Sequence, residues 1–197
     1  MLNHATRWWL IRHAPVPDPL GRITGQWDVP CDVSDADDLA ALSGCLPVNA
    51  IHLESGLLRT RQTAAALGLE AGEIEVDLQE QNFGQWQQRS WSDLEREKAA
   101  GLSDFWADPA YTVPPGGESF AQMCRRVGDC LNRVSRNHPG RDIIAVAHAG
   151  TIRAALSHAL DLAPDKALRF TIAPLSLTRL DVLDGQWWVE RVNDHAG

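Results

Sequence analysis

The sequence contains no long apolar run. Its longest examples, residues 8–11 and 143–147, fall far short of the roughly 20 residues that a membrane-spanning helix requires. The N-terminus also lacks a long apolar core followed by small residues, so we expect no signal peptide. These absences favour a cytoplasmic protein that does not act on a membrane.

Cysteine is scarce, and the signatures of several enzyme classes are missing. The four cysteines show no C-x-x-C spacing, so we expect reduced, partly buried thiols without a disulfide framework. No H-E-x-x-H pattern or carboxylate cluster indicates a metal site, and no G-x-x-x-x-G-K-[ST] loop indicates a nucleoside triphosphate site. A G-x-S-x-G nucleophile elbow is absent too, which disfavours a serine hydrolase. We therefore expect no metal and no cofactor.

Basic residues are in the minority. The 197 residues include 26 acidic and 18 basic side chains, which gives a net charge of −8. This balance argues against a nucleic-acid partner bound through bulk charge, although it says nothing about any single pocket. Hydrophobic residues make up 44 % of the chain, a proportion typical of globular proteins, and the length fits one domain spanning 1–197.

Segments of strand character alternate with segments of helical pattern. Strands are predicted at 7–12, 50–54, 74–78 and 142–147, and two more at 177–183 and 186–192 flank the turn Asp184-Gly185. This alternation predicts an α/β fold, a three-layer α/β/α sandwich with a mostly parallel central sheet. We expect the final hairpin to add antiparallel strands at one edge of that sheet.

Serines mark the predicted helix starts, because a serine hydroxyl can accept a hydrogen bond from a free backbone N–H of the first turn. They predict helices after Ser34, Ser55, Ser90 and Ser119, which end near residues 44, 67, 100 and 138. A further amphipathic helix is predicted at 151–160.

Charged and titratable residues stand where the predicted strands end. Arg12 and His13 follow the first strand, Arg59 lies just after the second, Glu80 after the third and His148 after the fourth. Ligands of parallel sheets bind beyond the carboxyl ends of the strands, so these side chains should meet in one crevice. Each residue alone is more often an ordinary surface or core residue. Together they supply a fork of donors for phosphate, an imidazole nucleophile and a carboxylate that moves protons.

Five segments in order resemble the motifs of one family. LIRHA at 10–14, ESGLLRTRQTA at 54–64, LQEQNFGQW at 78–86, PPGGES at 114–119 and VAHAGT at 146–151 resemble signatures of the histidine phosphatase superfamily, the phosphoglycerate mutase-like branch. The resemblance implies a phosphoglycerate mutase-like fold and phosphoryl transfer through a phosphohistidine. A departure is Ala14, which stands where the family usually has glycine.

The resemblance also implies roles for single residues. His13 would be the nucleophile, neutral at its attacking nitrogen, and Glu80 would protonate the departing alcohol oxygen and then activate water. Arg12, Arg59 and His148 would hold the phosphoryl oxygens, with His148 working best when protonated. Backbone N–H groups of Gly150 and Thr151, at a helix start, would add an anion site; the two residues join the three phosphoryl-holding side chains as substrate-binding candidates.

Substrate choice is expected to come from two further segments. Residues 21–32 resemble the corresponding loop of α-ribazole phosphatases, so Gly25 and Trp27 are candidates for substrate binding, and Trp86 for the mouth of the pocket. In this family a segment such as 84–118 forms a cap over the site. The other tryptophans are interpreted as packing residues, namely Trp8, Trp9, Trp91, Trp106, Trp187 and Trp188.

The sequence thus predicts a metal-independent phosphomonoester hydrolase that acts on a small phosphorylated metabolite, with α-ribazole phosphate as one candidate. The alternatives are a phosphoglycerate mutase, which shares the chemistry up to the phosphoenzyme, and an inactive phosphate-binding module. The expected partner is a small phosphate ester. An exposed sheet edge or hairpin could support a homodimer, although no residue pattern demands one.

Overall fold

Six strands form one mixed sheet in the computed structural model, which describes residues 4–18 and 20–195. Their order across the sheet is β3-β2-β4-β1-β5-β6. The first four strands run parallel, whereas β5 is antiparallel to β1 and β6 to β5. This confirms the mostly parallel sheet and the antiparallel hairpin at its edge. The bounds are β1 Thr6–Arg12, β2 Ile51–Glu54, β3 Glu73–Ile74, β4 Asp142–Ala147, β5 Leu177–Leu183 and β6 Gln186–Asp194.

Helices cover both faces of the sheet, because side chains of the central strands alternate between the faces. On one face Trp8 and Leu10 pack with α5 and α6, and on the other Ile11 packs with α1 and α2. This confirms the three-layer α/β/α arrangement. The helices are α1 Ala36–Gly44, α2 Leu58–Ala66, α3 Trp91–Arg96, α4 Leu102–Ala107, α5 Phe120–Asn137, α6 Ala149–Ala159 and α7 Pro164–Ala167. No helix in the described ranges is both long and apolar enough to cross a membrane.

Two of the four predicted serine caps are confirmed. Ser119 and Gln122 form the expected capping box of α5, and Ser90 accepts a hydrogen bond from the backbone of α3. The predicted cap at Ser34 is wrong, since the side chain of Asp35 caps α1 instead. The predicted cap at Ser55 is wrong as well, because α2 begins three residues later and has no side-chain cap.

The predicted third strand, 74–78, is also wrong in extent. Only Glu73–Ile74 pairs with β2, and a 3-10 turn at Val76–Leu78 follows. Ile74 and Val76 are 62 % and 60 % exposed, so their apolar side chains do not join the core. Leu78 alone is buried, and a turn suffices to bury one residue. Glu80 therefore follows a turn rather than a strand.

Candidate active site

A cavity of about 390 Å³ opens beyond the carboxyl end of β1. Arg12, His13, Arg59 and Glu80 line it, so the fold brings four of the five predicted catalytic residues to one space. The fifth, His148, lies behind this lining and is fully buried, with its ring 5.2 Å from that of His13.

His13 presents one free ring nitrogen. Its Nδ1 lies 2.7 Å from the carbonyl oxygen of Ala14. A carbonyl can only accept, so Nδ1 carries the proton and Nε2 keeps its lone pair. Burial lowers the pKa of His13 to about 3, and the positive charges of Arg59 and Arg12 add to that effect. The imidazole is therefore neutral and able to act as a nucleophile at pH 7.

Arg12 has an unsatisfied buried donor. Its Nη1 donates to the carbonyl oxygen of Ile172 at 2.6 Å, but its Nε is buried without a hydrogen-bond partner. Burial lowers the pKa of this guanidinium, an effect that the nearby carboxylate of Glu80 opposes. A buried charged donor without a partner is costly, so this group favours an anion in the cavity.

Arg59 connects the cavity to the loop before α1. The side chain is 1 % exposed, and its Nη1 and Nη2 donate to the carbonyl oxygens of Trp27 and Gly25 at 2.9 and 2.6 Å. Its Nε donates to Nδ1 of His148 at 3.2 Å. Gly25 and Trp27 thus contact Arg59 through their backbone. Gly25 lines the cavity, whereas the side chain of Trp27 lines a smaller neighbouring one.

His148 is neutral in this structure. Its Nδ1 accepts from Arg59, so the remaining ring proton sits on Nε2. Burial holds the pKa of His148 well below its ordinary value, and the charge of Arg59 lowers it further. The expectation of a protonated His148 is therefore not met in this structure, because burial and the positive charges of Arg59 and Arg12 all disfavour a second proton on the ring.

Ser55 orients His148, a role that the sequence did not suggest. The Nε2–H of His148 donates to Ser55 Oγ at 2.8 Å. Ser55 in turn lies 3.2 Å from Thr60 Oγ1, which donates to the carbonyl oxygen of Leu57 at 2.8 Å. Ser55 and Thr60 are fully buried. Ser55 stands in a motif segment at the end of β2, but its type and place are equally typical of a helix cap.

Glu80 is held by two backbone N–H groups. Its Oε2 accepts from Gly150 at 3.1 Å and its Oε1 from Gln81 at 3.0 Å. The anion bound at the start of α6 is therefore the Glu80 carboxylate, although a substrate anion was expected there. Thr151 lies behind it and donates to the carbonyl oxygens of Leu78 and Gln79 at 3.0 and 3.3 Å. A side chain at Gly150 would overlap Oε1 of Glu80.

Arg126 holds the backbone of Glu80, a role that the sequence did not predict. Its guanidinium donates to the backbone oxygens of Asp77 and Glu80 at 2.7 and 3.1 Å, and to the carboxylate of Glu118 at 2.6 and 3.0 Å. The residue thereby ties the turn before Glu80 to the G-G-E-S segment. Arginine on an exposed-looking helix position carries no signal of such a role in the sequence.

The structure places Trp91 at the cavity, where the sequence predicted Trp86. Trp86 is 2 % exposed and does not line the cavity, because it packs with Ile23 and Phe105 in the aromatic cluster behind the cavity wall. Trp91, interpreted as a packing residue, lines the cavity together with Phe83. In the described ranges, no three His, Cys, Asp or Glu side chains are grouped as a metal site would require.

Comparison with known proteins gives the family of this chain. The sequence profile of the histidine phosphatase superfamily (branch 1) matches residues 8–195. An adenosylcobalamin/α-ribazole phosphatase of Salmonella typhimurium is 26 % identical over 96 % of this chain and 97 % of its own length. A metal-independent phosphoserine phosphatase of Arabidopsis thaliana is 31 % identical over 74 % of this chain and 65 % of its own length.

The fold is shared with solved structures as well. The crystal structure of the α-ribazole phosphatase from Shigella flexneri superposes with a TM-score of 0.83 at 24 % identity, over 96 % of each chain. The profile match extends over nearly the whole chain and includes all five residues around the cavity. The chain therefore belongs to the histidine phosphatase superfamily, branch 1, and is a phosphatase.

Proposed function

We propose that the protein hydrolyses a small phosphate monoester in two steps, without a metal, through a phosphohistidine at His13. The observation that carries this proposal is the pairing of a neutral His13, whose Nε2 is free, with the guanidinium groups of Arg12 and Arg59, which line the same cavity. A nucleophile and a charged donor group are the two requirements for attack on a bound phosphoryl group.

In the first step, Nε2 of His13 attacks the phosphorus and the ester P–O bond breaks. Arg12 and Arg59 hold the phosphoryl oxygens. The Glu80 carboxylate takes up a proton from solvent as the anionic ester binds, and it gives this proton to the departing alcohol oxygen. In the second step, water attacks the phosphohistidine and loses a proton to Glu80. The N–P bond breaks, inorganic phosphate leaves, and both side chains return to their starting protonation states.

The dianionic phosphoryl group changes the electrostatics around His148. A negative charge beside the ring favours the imidazolium, opposing the effect of Arg59. Protonated Nδ1 would then no longer accept from Arg59 and would donate to a phosphoryl oxygen, while Nε2–H stays on Ser55. In this way the neutral His148 of the present structure and the protonated form suited to phosphoryl binding are two states of one cycle.

The substrate class is a small phosphate ester, and α-ribazole phosphate is one candidate, since relatives of matching length carry that activity in their names. Residues 84–118 serve as the cap of the site in this proposal. A cytoplasmic location and a homodimer remain predictions from the sequence, as do Gly25, Trp27, Gly150 and Thr151 as substrate contacts.

The test is release of inorganic phosphate from p-nitrophenyl phosphate and α-ribazole phosphate in the presence of a chelator. We expect hydrolysis that the chelator does not reduce, and an acid-labile phosphoenzyme in rapidly quenched samples. His13→Ala should lose both signals. Full dependence on added metal, or turnover retained by His13→Ala, would refute the mechanism. Isomerised phosphoglycerate formed without free phosphate would indicate a mutase instead.

A further inference from the structure

The cavity has two chemically different halves. The inner half contains Arg12, His13 and Arg59, which the proposed function assigns to the phosphoryl group. The outer half is bounded by an apolar wall of Ile23, Phe83 and Trp91, and by the charged residues Asp18 and Arg22. The alcohol part of a substrate must lie in this outer half, so its lining reports on the identity of that alcohol.

The apolar wall is fixed in place by packing. Phe83 meets Trp91 edge to face at 6.2 Å, and Trp91 stacks on Phe105 at 5.6 Å with an angle of 18° between the rings. The backbone of Ile23 accepts from Gln88 at 2.9 Å and donates to Arg89 at 2.8 Å. A wall that is already ordered presents aromatic surface to a ligand with little loss of side-chain entropy.

The outer half has little charge to offer a ligand. Arg22 is its one cation among the described lining residues, and its Nε donates to Asp18 Oδ2 at 3.0 Å. The same guanidinium lies over the ring of Trp27, with 4.9 Å between its carbon and the ring centroid. A second anionic group on the substrate, such as a carboxylate, would therefore meet a guanidinium whose charge Asp18 already balances.

From this wall and this charge balance we propose that the outer half binds an uncharged alcohol that carries an aromatic ring, seated against Phe83 and Trp91. The inference rests on the proposed function, which places the phosphoryl group on Arg12 and Arg59. It distinguishes aromatic alcohol esters from phosphorylated acids such as phosphoserine and phosphoglycerate. Ring-to-ring contact adds to the free energy of apolar burial, which gives the wall a preference for aromatic over aliphatic groups.

The experiment compares esters whose leaving groups are similar. The purified protein is assayed with 2-phenylethyl phosphate, n-propyl phosphate and phosphoserine, and kcat/KM is measured for each. We expect the aromatic ester to be preferred over the other two by about tenfold or more, as one ring contact predicts. Phe83→Ala should lose most of this preference, and Phe83→Leu, which keeps apolar volume, should lose part of it.

A matched control separates the wall from the aromatic cluster behind it. Trp106 packs on Trp91 but is 51 % exposed and does not line the cavity, so Trp106→Ala should keep the preference unchanged. Equal kcat/KM for the aromatic and aliphatic esters, a preference for phosphoserine, or an equal loss in Trp106→Ala would overturn the inference.

Failure of the proposed function would give a different result. If no ester is hydrolysed, the phosphatase mechanism fails, and the outer half is then tested by calorimetric binding of 2-phenylethylphosphonate and n-propylphosphonate. Tighter binding of the aromatic phosphonate, weakened in Phe83→Ala, would still support the aromatic wall. Equal affinities would overturn it.

Discussion

Ser55 Oγ accepts the Nε2 proton of His148 at 2.8 Å, and neither residue is exposed to solvent. The two residues lie 93 positions apart in the chain and meet because β2 and β4 are neighbours in the sheet. This bond fixes which ring nitrogen of His148 faces Arg59. The orientation of a buried imidazole at a phosphoryl site is thereby set by one hydroxyl.

Removing that hydroxyl should impair catalysis more than stability. In Ser55→Ala the Nε2–H of His148 loses its buried acceptor, so we expect kcat/KM to fall by about 10- to 100-fold. The ¹⁵N shifts of His148 should also change, because its Nε2–H no longer has the Ser55 acceptor. Ser157→Ala is the control, because it removes another buried serine bond, to Leu162, outside the cavity. Equal kcat/KM in both variants would contradict the prediction.

Gly150→Ala should displace Glu80. The new methyl group would overlap Oε1 of Glu80, the far end of a side chain that can move aside, so the fold should survive. We expect kcat on alkyl phosphates to fall by about 100-fold, since their leaving oxygen needs a proton. The effect on p-nitrophenyl phosphate should be smaller, because nitrophenolate leaves unprotonated. Gly44→Ala in α1, where the added methyl meets nothing within 4 Å, should leave both rates unchanged. A similar loss on both esters would argue against Glu80 as the proton donor.

The two site histidines should make the fold sensitive to acid. Burial lowers the pKa of His13 to about 3 and that of His148 well below its ordinary value. Unfolded histidines take up protons below about pH 6.5, so the unfolded state binds more protons there than the folded state does. The free energy of unfolding therefore decreases as the pH decreases below this value. At pH 5 His13 should remove about 2 kcal/mol relative to pH 7.5, and His148 should lower the free energy of unfolding further in the same direction.

Urea titrations at the two pH values test this prediction. His13→Asn should show a decline smaller by about 2 kcal/mol than the unsubstituted protein, because one titrating group is gone. Ser157→Ala, which keeps every histidine, should retain the full decline. An equal decline in His13→Asn would show that the folded His13 is protonated over the same pH range as in the unfolded chain.

Arg12→Lys should weaken phosphate binding although the charge is kept. Lysine has no donor at the place of the unpartnered Nε, so its ammonium cannot replace the guanidinium fork. If phosphate affinity drops tenfold, saturating phosphate stabilises the variant by about 1.4 kcal/mol less. Thermal denaturation with phosphate, and with chloride at matched ionic strength, measures the difference. Arg141→Lys, at an exposed bond to Asn49 outside the cavity, should keep the full effect. An equal phosphate effect in both variants would remove Arg12 from the anion site.

The sequence predicted well those features that depend on local pattern. The strand of residues 142–147 and the capping box at Ser119 follow from apolar runs and residue spacing, and both are present. The meeting of Arg12, His13, Arg59 and Glu80 followed from the rule for parallel sheets together with the family motifs.

The features that the sequence missed depend on tertiary contacts. A serine after a strand can cap a helix as readily as it can bond a distant histidine, so local sequence predicts only the nearer role for Ser55. The exchange of Trp86 and Trp91 depends on how α3 and α4 pack around Phe105, which no local spacing specifies. Arg126 reaches Glu80 from the middle of a long helix whose pattern fixes only its apolar face.

The position of β1 at the centre of the sheet has a consequence for synthesis. Of the six strands of the sheet, β1 is synthesised first, yet its neighbours are β4 and β5, and Arg7 lies 135 positions before its partner Asp142. Its apolar residues Trp8, Leu10 and Ile11 can be buried only after the last third of the chain has been synthesised. Nascent chains that end before β4 therefore expose an unpaired apolar strand, which chaperones can bind. Such chains also carry the nucleophile without the pocket that makes it reactive.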